Sequence, residues 1–185
     1  GWDVDRNYNK AAEWYEKAAV QGYGLAQHNL GVMYYNGQGV RQNYKKAFEW
    51  FKKAVEHGEF VESQYIMGIM YYRALGVTKN YKKASEWYEK AAKQGHANAQ
   101  YTLGIMYYNG RGVKKNYNKA FMWYEKAAKQ GVAMAQFNLG DVYYKGRGVK
   151  QNYKKAFEWY ESMHTGVPAR SGCTQPAPPR GHASA

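Results

Sequence analysis

Five tryptophans set the strongest constraint on this chain. Trp14, Trp50, Trp87, Trp123 and Trp159 follow one another at intervals of 36, 37, 36 and 36 residues. A fixed period in the range of about 20–50 residues marks a repeat architecture, in which each unit buries its apolar face only against its neighbours. Each tryptophan sits in a shared phrase: NYNKAAEWYEKA, NYKKAFEWFKKA, NYKKASEWYEKA, NYNKAFMWYEKA and NYKKAFEWYE. A second phrase alternates with it: AQHNLGVMYYNGQGV, SQYIMGIMYYRALGV, AQYTLGIMYYNGRGV and AQFNLGDVYYKGRGV. The opening GWDVDRNY aligns with GQGVRQNY at 37–44, so the chain is expected to begin inside a loop. Three segments follow from this register. Residues 1–22 hold the second helix of a truncated leading unit, 23–161 hold four units of which the last is incomplete, and 162–185 form a tail.

Both phrases predict helices. Ala26, Leu30, Met33 and Tyr34 follow the i, i+4, i+7, i+8 spacing of an amphipathic helix, as do Tyr8, Ala11, Tyr15 and Ala18. Asn7, Asn43, Asn80, Asn116 and Asn152 stand at the start of the second helix, where a side-chain oxygen accepts an orphan backbone N–H. Gly22, Gly58, Gly95 and Gly131 stand at its end, where a left-handed residue is usual. A Gly-x-Gly-Val turn joins the two helices, and Ala74 in place of its first glycine predicts a distorted turn in the second unit. The architecture implied is all-α: an α/α superhelical solenoid of antiparallel helix hairpins with a 36-residue repeat.

Gly31, Gly68, Gly104 and Gly140 fall in mid-helix, where glycine costs about 1 kcal/mol relative to alanine. A cost taken at the same place in every unit calls for close packing, with a Trp or Tyr ring lying over the gap. Ala11, Ala47, Ala84, Ala120 and Ala156 supply small residues from the other helix. The tyrosine doublets at 34/35, 71/72, 107/108 and 143/144 could form a stacking platform, but stripes at this spacing usually face a core.

These residues carry a resemblance. The order A-x-x-x-L-G-x-x-Y, G-x-G-V, K-A-x-x-W-Y-x-K-A-A over residues 1–161 resembles the Sel-one-like repeat, a relative of the tetratricopeptide repeat. The resemblance implies a scaffold for protein–protein interaction, often in bacterial exported or signalling proteins. Some cysteine-rich members of that family staple each repeat with a cysteine pair and are labelled β-lactamases. Here Cys173 is the one cysteine, and no Ser-x-x-Lys motif occurs. The family often places Asp at the helix cap where this chain has Asn.

No catalytic constellation emerges. His28, His57, His96, His164 and His182 show no metal-ligand spacing. Glu13 is flanked by Lys10 and Lys17 at helical spacing, the usual solvated ion-pair pattern. The expectation is no enzyme, no metal and no cofactor. No run of about 18 apolar residues marks a membrane span. No charged start with an apolar run marks a signal peptide, and because the chain opens in mid-repeat the compartment stays open between cytoplasmic and exported. The tail from Ser162 leaves the register, lacks Lys, Tyr and acidic residues, and is rich in Pro and small residues. It is expected to be disordered and foreign to the repeat array.

The formal net charge is +13, from 27 Lys+Arg against 14 Asp+Glu. It clusters at the loop and first turn of each second helix: Arg41, Lys45 and Lys46; Lys79, Lys82 and Lys83; Lys114 and Lys115; Lys150, Lys154 and Lys155. The clusters form a basic ridge that suits an acidic partner or a phosphate backbone. A different set of positions varies among units, at spacings 4, 3 and 4 on the first helix, and so on one stripe. It comprises Leu25, Asn29, Val32 and Asn36; Glu62, Ile66, Ile69 and Arg73; Asn98, Thr102, Ile105 and Asn109; Met134, Asn138, Asp141 and Lys145. A core column must repeat, whereas a recognition column is free to differ, and first helices line the inner surface of such solenoids. The leading expectation is a protein or peptide bound on this stripe. Nucleic-acid binding along the ridge ranks second, and weak end-to-end self-association is expected from uncovered ends.

Overall fold

In the computed structural model the described residues are 2–56, 58 and 60–165. Among them are nine helices and no strand: α1 (Trp2–Val20), α2 (Gly24–Asn36), α3 (Tyr44–Glu56), α4 (Val61–Arg73), α5 (Tyr81–Lys93), α6 (Ala97–Asn109), α7 (Tyr117–Lys129), α8 (Ala133–Lys145) and α9 (Tyr153–Thr165). Each hairpin pairs a first helix (α2, α4, α6, α8) with the second helix that follows it, and successive hairpins stack.

The caps act as the sequence predicts in all four hairpins. The side chains of Asn43, Asn80, Asn116 and Asn152 accept the N–H of Lys46, Lys83, Lys119 and Lys155 at 2.9–3.0 Å. The backbone N–H of each of these asparagines donates to Tyr34, Tyr71, Tyr107 or Tyr143, so the cap also ties the second helix to the first. Helices α1, α5 and α7 close on a Schellman pattern: after α5, His96 N–H donates to the Ala91 carbonyl and Gly95 N–H to that of Ala92, with φ +92° at Gly95.

Three expectations are corrected. Helix α1 begins at Trp2, so the opening residues form no loop and Asn7 lies inside the helix rather than at its cap. The turn at Ala74 is not distorted. Ala74 adopts φ 61°, ψ 42°, close to the φ 75°, ψ 32° of Gly37, and takes the steric cost of the left-handed region instead. Helix α9 runs through Ser162 to Thr165, past the expected boundary; residues 166–185 of the tail lie outside the described residues.

The mid-helix glycines are packing contacts. A Cβ on Gly31, Gly68, Gly104 or Gly140 would stand 2.3–2.8 Å from the ring of Phe51, Tyr88, Tyr124 or Tyr160. The ring over the gap is thus the residue after each tryptophan, not the tryptophan. The second glycine of each turn packs between repeats, as Gly112 does on the backbone of Tyr81. Buried Gln27, Gln100 and Gln136 cross the seam between repeats by donating to Ala19, Ala92 and Ala128 carbonyls near the end of the preceding second helix. Gln94 and Gln130, at the ends of α5 and α7, donate back to Gln64 and Gln100.

Candidate functional site

The variable stripe opens onto a groove between successive first helices. One cleft of about 190 Å³ is lined by Tyr65, Ile69, Tyr72 and Arg73 of α4, Tyr88 of α5, Thr102, Ile105, Met106 and Asn109 of α6, and Arg111 of the following turn. A second, of about 270 Å³, is lined by Ile105, Tyr108, Asn109, Tyr124, Asn138 and Asp141. Ile105 and Asn109 border both, so the two clefts lie side by side along α6. The structure brings Arg73, Thr102 and Asn109 of the predicted stripe to the first cleft, and Asn109, Asn138 and Asp141 to the second beside it. Helical geometry explains this: residues at spacings of three and four share a face, and the adjacent faces of α4, α6 and α8 leave a furrow above the buried Leu and Met columns.

Nine of the sixteen stripe positions, Leu25, Asn29, Val32, Asn36, Glu62, Ile66, Asn98, Met134 and Lys145, do not line these clefts. Glu62 accepts from His96 Nε2 at 3.0 Å, while His96 Nδ1 accepts the Ala99 N–H and its ring stacks on Tyr65. Asn36 reaches Gln38. Asn29 is half-buried on α2. Lys145 pairs with Asp141 one turn away.

Electrostatics differ along the groove. Asp141 receives hydrogen bonds from Lys145 and from the Tyr160 hydroxyl at 2.9 Å. Partial burial works against its ionisation, but these two donors outweigh that and hold its carboxyl below the usual range. Burial, and then the bond to Asp141, push the Tyr160 phenol up to about 12. At the other end, Arg73 and Arg111 have no carboxylate partner among the described residues. The Arg111 guanidinium donates to the Tyr72 hydroxyl and lies over the rings of Tyr72 and Tyr81 at 5.6 and 5.4 Å. Arg147 repeats this on Tyr108 and Tyr117. Sequence reasoning missed these arginine clamps, although the two Gly-Arg-Gly-Val turns were a visible signal.

The ridge residues Arg41, Lys45, Lys46, Lys79, Lys82, Lys83, Lys114, Lys115, Lys150, Lys154 and Lys155 are all exposed. Several lie over tyrosines of their own hairpin. Lys46, Lys83 and Lys155 sit 5.0–5.4 Å above the rings of Tyr34, Tyr71 and Tyr143, and Lys115 sits 5.1 Å above Tyr117. The first tyrosine of each doublet thus holds a lysine on one side and packs into the hairpin on the other. Among the described residues no group of three or more His, Cys, Asp or Glu could hold a metal ion, and no helix is long and apolar enough to cross a membrane.

Solved structures share this architecture. A protective antigen present in uropathogenic Escherichia coli strains, with an SLR fold, superposes with a TM-score of 0.82 at 40% identity, over 85% of this chain and 34% of the antigen. A Sel1 repeat protein from Oxalobacter formigenes gives 0.80 at 37% identity, over 85% of this chain and 65% of that one. The Helicobacter pylori cysteine-rich protein B gives 0.55 at 28% identity, over 71% of this chain and 94% of that one. The chain thus spans about a third of the antigen and just under two thirds of the Oxalobacter protein. No curated protein sequence matches it. The Sel1 repeat matches in five consecutive blocks, at residues 1–23, 24–59, 61–96, 97–132 and 133–163, and with the hairpin stack just described this places the chain in the Sel1 repeat family.

Proposed function

We propose that the chain is a non-enzymatic interaction scaffold that docks a protein or peptide in the groove along its first helices. Sel1 repeat solenoids are typically scaffolds of this kind, and the observation that carries the reading here is the coincidence of two independent features. Seven of the positions that vary from repeat to repeat, Ile69, Arg73, Thr102, Ile105, Asn109, Asn138 and Asp141, also line two adjoining clefts. A scaffold surface changes its recognition residues while the packing columns beneath stay fixed, since each repeat stabilises its neighbours through the same interface. The groove offers an apolar floor with a few polar groups at its rim, the usual make-up of a docking site.

A photo-crosslinking amino acid placed at position 109, in the groove, and separately at position 114, on the ridge, tests this in lysate of the source organism. Groove docking yields protein adducts at 109 that are absent at 114. Adducts to protein or nucleic acid at 114 alone would move the function to the ridge. The lysines lying over tyrosines favour the groove, because part of the ridge charge already serves the hairpin itself.

A further inference from the structure

We infer that the groove's partner is an extended acidic peptide, one of whose carboxylates sits on the rim formed by Arg73 and Arg111. The inference rests on the groove reading above and names the chemistry that would fill it. Two guanidinium groups border one cleft of about 190 Å³, and neither has a carboxylate partner among the described residues. Arg111 is held in place by its bond to the Tyr72 hydroxyl and by stacking on Tyr72 and Tyr81, so its fork is pre-organised. Arg73, at the last turn of α4, is exposed beside it on the same cleft. A planar guanidinium recognises a carboxylate through two parallel hydrogen bonds, which makes it the matching cation for an Asp or Glu side chain.

The rest of the groove separates a peptide from a nucleic acid. Asn109, shared by both clefts, offers an amide donor and acceptor, the pair that an extended main chain requires. Asp141 borders the second cleft as a carboxylate paired with Lys145 and bonded by Tyr160; its remaining lone pairs can accept a peptide N–H, and it has no donor to offer a phosphate. A phosphodiester strand carries a charge at every nucleotide, about 3.4 Å apart in a duplex strand, and would bring one against Asp141. A peptide can place its charge at Arg73 and Arg111 and leave neutral residues over Ile69, Ile105 and Asp141. The net charge of +13 adds long-range attraction for such a partner.

The test selects a phage-displayed library of random dodecapeptides against the 185-residue chain, then measures the enriched peptide by fluorescence anisotropy. Enrichment of Asp or Glu beside an aliphatic residue is expected, with R73Q weakening the peptide about tenfold and R111Q at least as much. Among the described residues Arg73 makes no hydrogen bond or ion pair, so R73Q is expected to melt with the parent chain and keeps the test independent of the stacking role of Arg111. N109W, which fills the groove, should abolish binding. Peptides blocked by N109W but without acidic preference, or indifferent to R73Q, would overturn the acidic partner and leave the groove standing. Peptides indifferent to N109W, or no enrichment at all, would overturn both. Single-stranded RNA that binds the groove and is weakened by R73Q, where no acidic peptide is enriched, would replace the peptide with a nucleic acid.

Discussion

The Tyr124 ring lies 2.6 Å from where a Cβ on Gly104 would stand, and the same relation recurs between Gly68 and Tyr88. The glycine tolerated in mid-helix is therefore the receptor for a ring from the paired helix. Gly104→Ala should gain about 1 kcal/mol of helix propensity but force a buried ring to move, and overpacking costs about 1–3 kcal/mol. A net loss of about 1 kcal/mol is expected in the urea midpoint. A midpoint at or above that of the parent would show that Tyr124 shifts freely.

Ala74 gives the opposite sign. It holds φ 61° at a turn where the other three hairpins place Gly37, Gly110 and Gly146. Left-handed geometry costs a residue with a Cβ about 1–2 kcal/mol, while glycine adds about 0.5–1 kcal/mol of unfolded-state entropy. Ala74→Gly should therefore stabilise by about 0.5–1 kcal/mol, and a lower melting temperature would contradict this.

The caps can be both broken and improved. Asn80→Ala removes the acceptor for the Lys83 N–H and should cost about 1 kcal/mol. Asn80→Asp keeps the acceptor and adds a negative charge at the positive end of α5, beside Lys82 and Lys83, for a gain of about 0.3–1 kcal/mol at low salt. Protonating that aspartate below about pH 4 should erase the gain. Parallel melts of the two variants at neutral and acidic pH check all three outcomes.

These variants show what was legible in the sequence. Helix phase, asparagine caps and the glycine–ring contact were readable because each recurs in register, and recurrence separates a structural column from noise. The identity of the ring was not, since Trp50 and Phe51 are adjacent and only the helix phase relative to Gly31 chooses between them. The undistorted turn at Ala74 was hidden because neighbouring hairpins can impose a backbone conformation against a residue's preference. The stripe was legible as a surface; that Arg73, Asn109 and Asp141 border two adjoining clefts while Glu62 turns to His96 depends on side-chain partners 30 or more residues away. The glutamine ladder was missed because a recurring polar residue reads as surface until its buried carbonyl partner is seen.

His28 predicts a pH dependence at the joint between the first two full repeats. Its Nδ1 bonds the Ser63 hydroxyl at 2.7 Å, its ring stacks parallel to Phe60 at 6.2 Å and tilts against Phe51, and Glu62 is the nearby charge. Burial lowers its pKa, and Glu62 offsets part of that shift. The unfolded chain then binds the proton more readily than the folded one. Stability is full above the unfolded value of about 6.5 and falls as pH drops below it, levelling off below the folded value. His28→Gln should flatten this part of the stability curve relative to the parent. Equal slopes in urea titrations on both sides of about pH 6.5 would dismiss the effect.

Both ends of the stack expose faces that inner hairpins cover. At the start, Trp14 of α1 is 68% exposed, whereas its counterpart Trp123 is buried between neighbours. At the other end, Phe157 of α9 is 61% exposed, while its counterparts Phe48 and Phe121 meet Tyr71 and Tyr143 of the next hairpin edge-on at 5.4 and 5.6 Å. Tyr153 is equally exposed beside it. Apolar faces of this kind drive association, and the net charge of +13 opposes it. Raising ionic strength shortens the Debye length to about 3 Å at 1 M and removes the opposition while leaving the apolar attraction intact. The 185-residue chain should scatter light as a monomer at low salt and as growing oligomers at high salt, and Trp14→Lys with Phe157→Lys should keep it monomeric throughout. A parent chain that remains monomeric at every salt concentration would show that these faces do not associate.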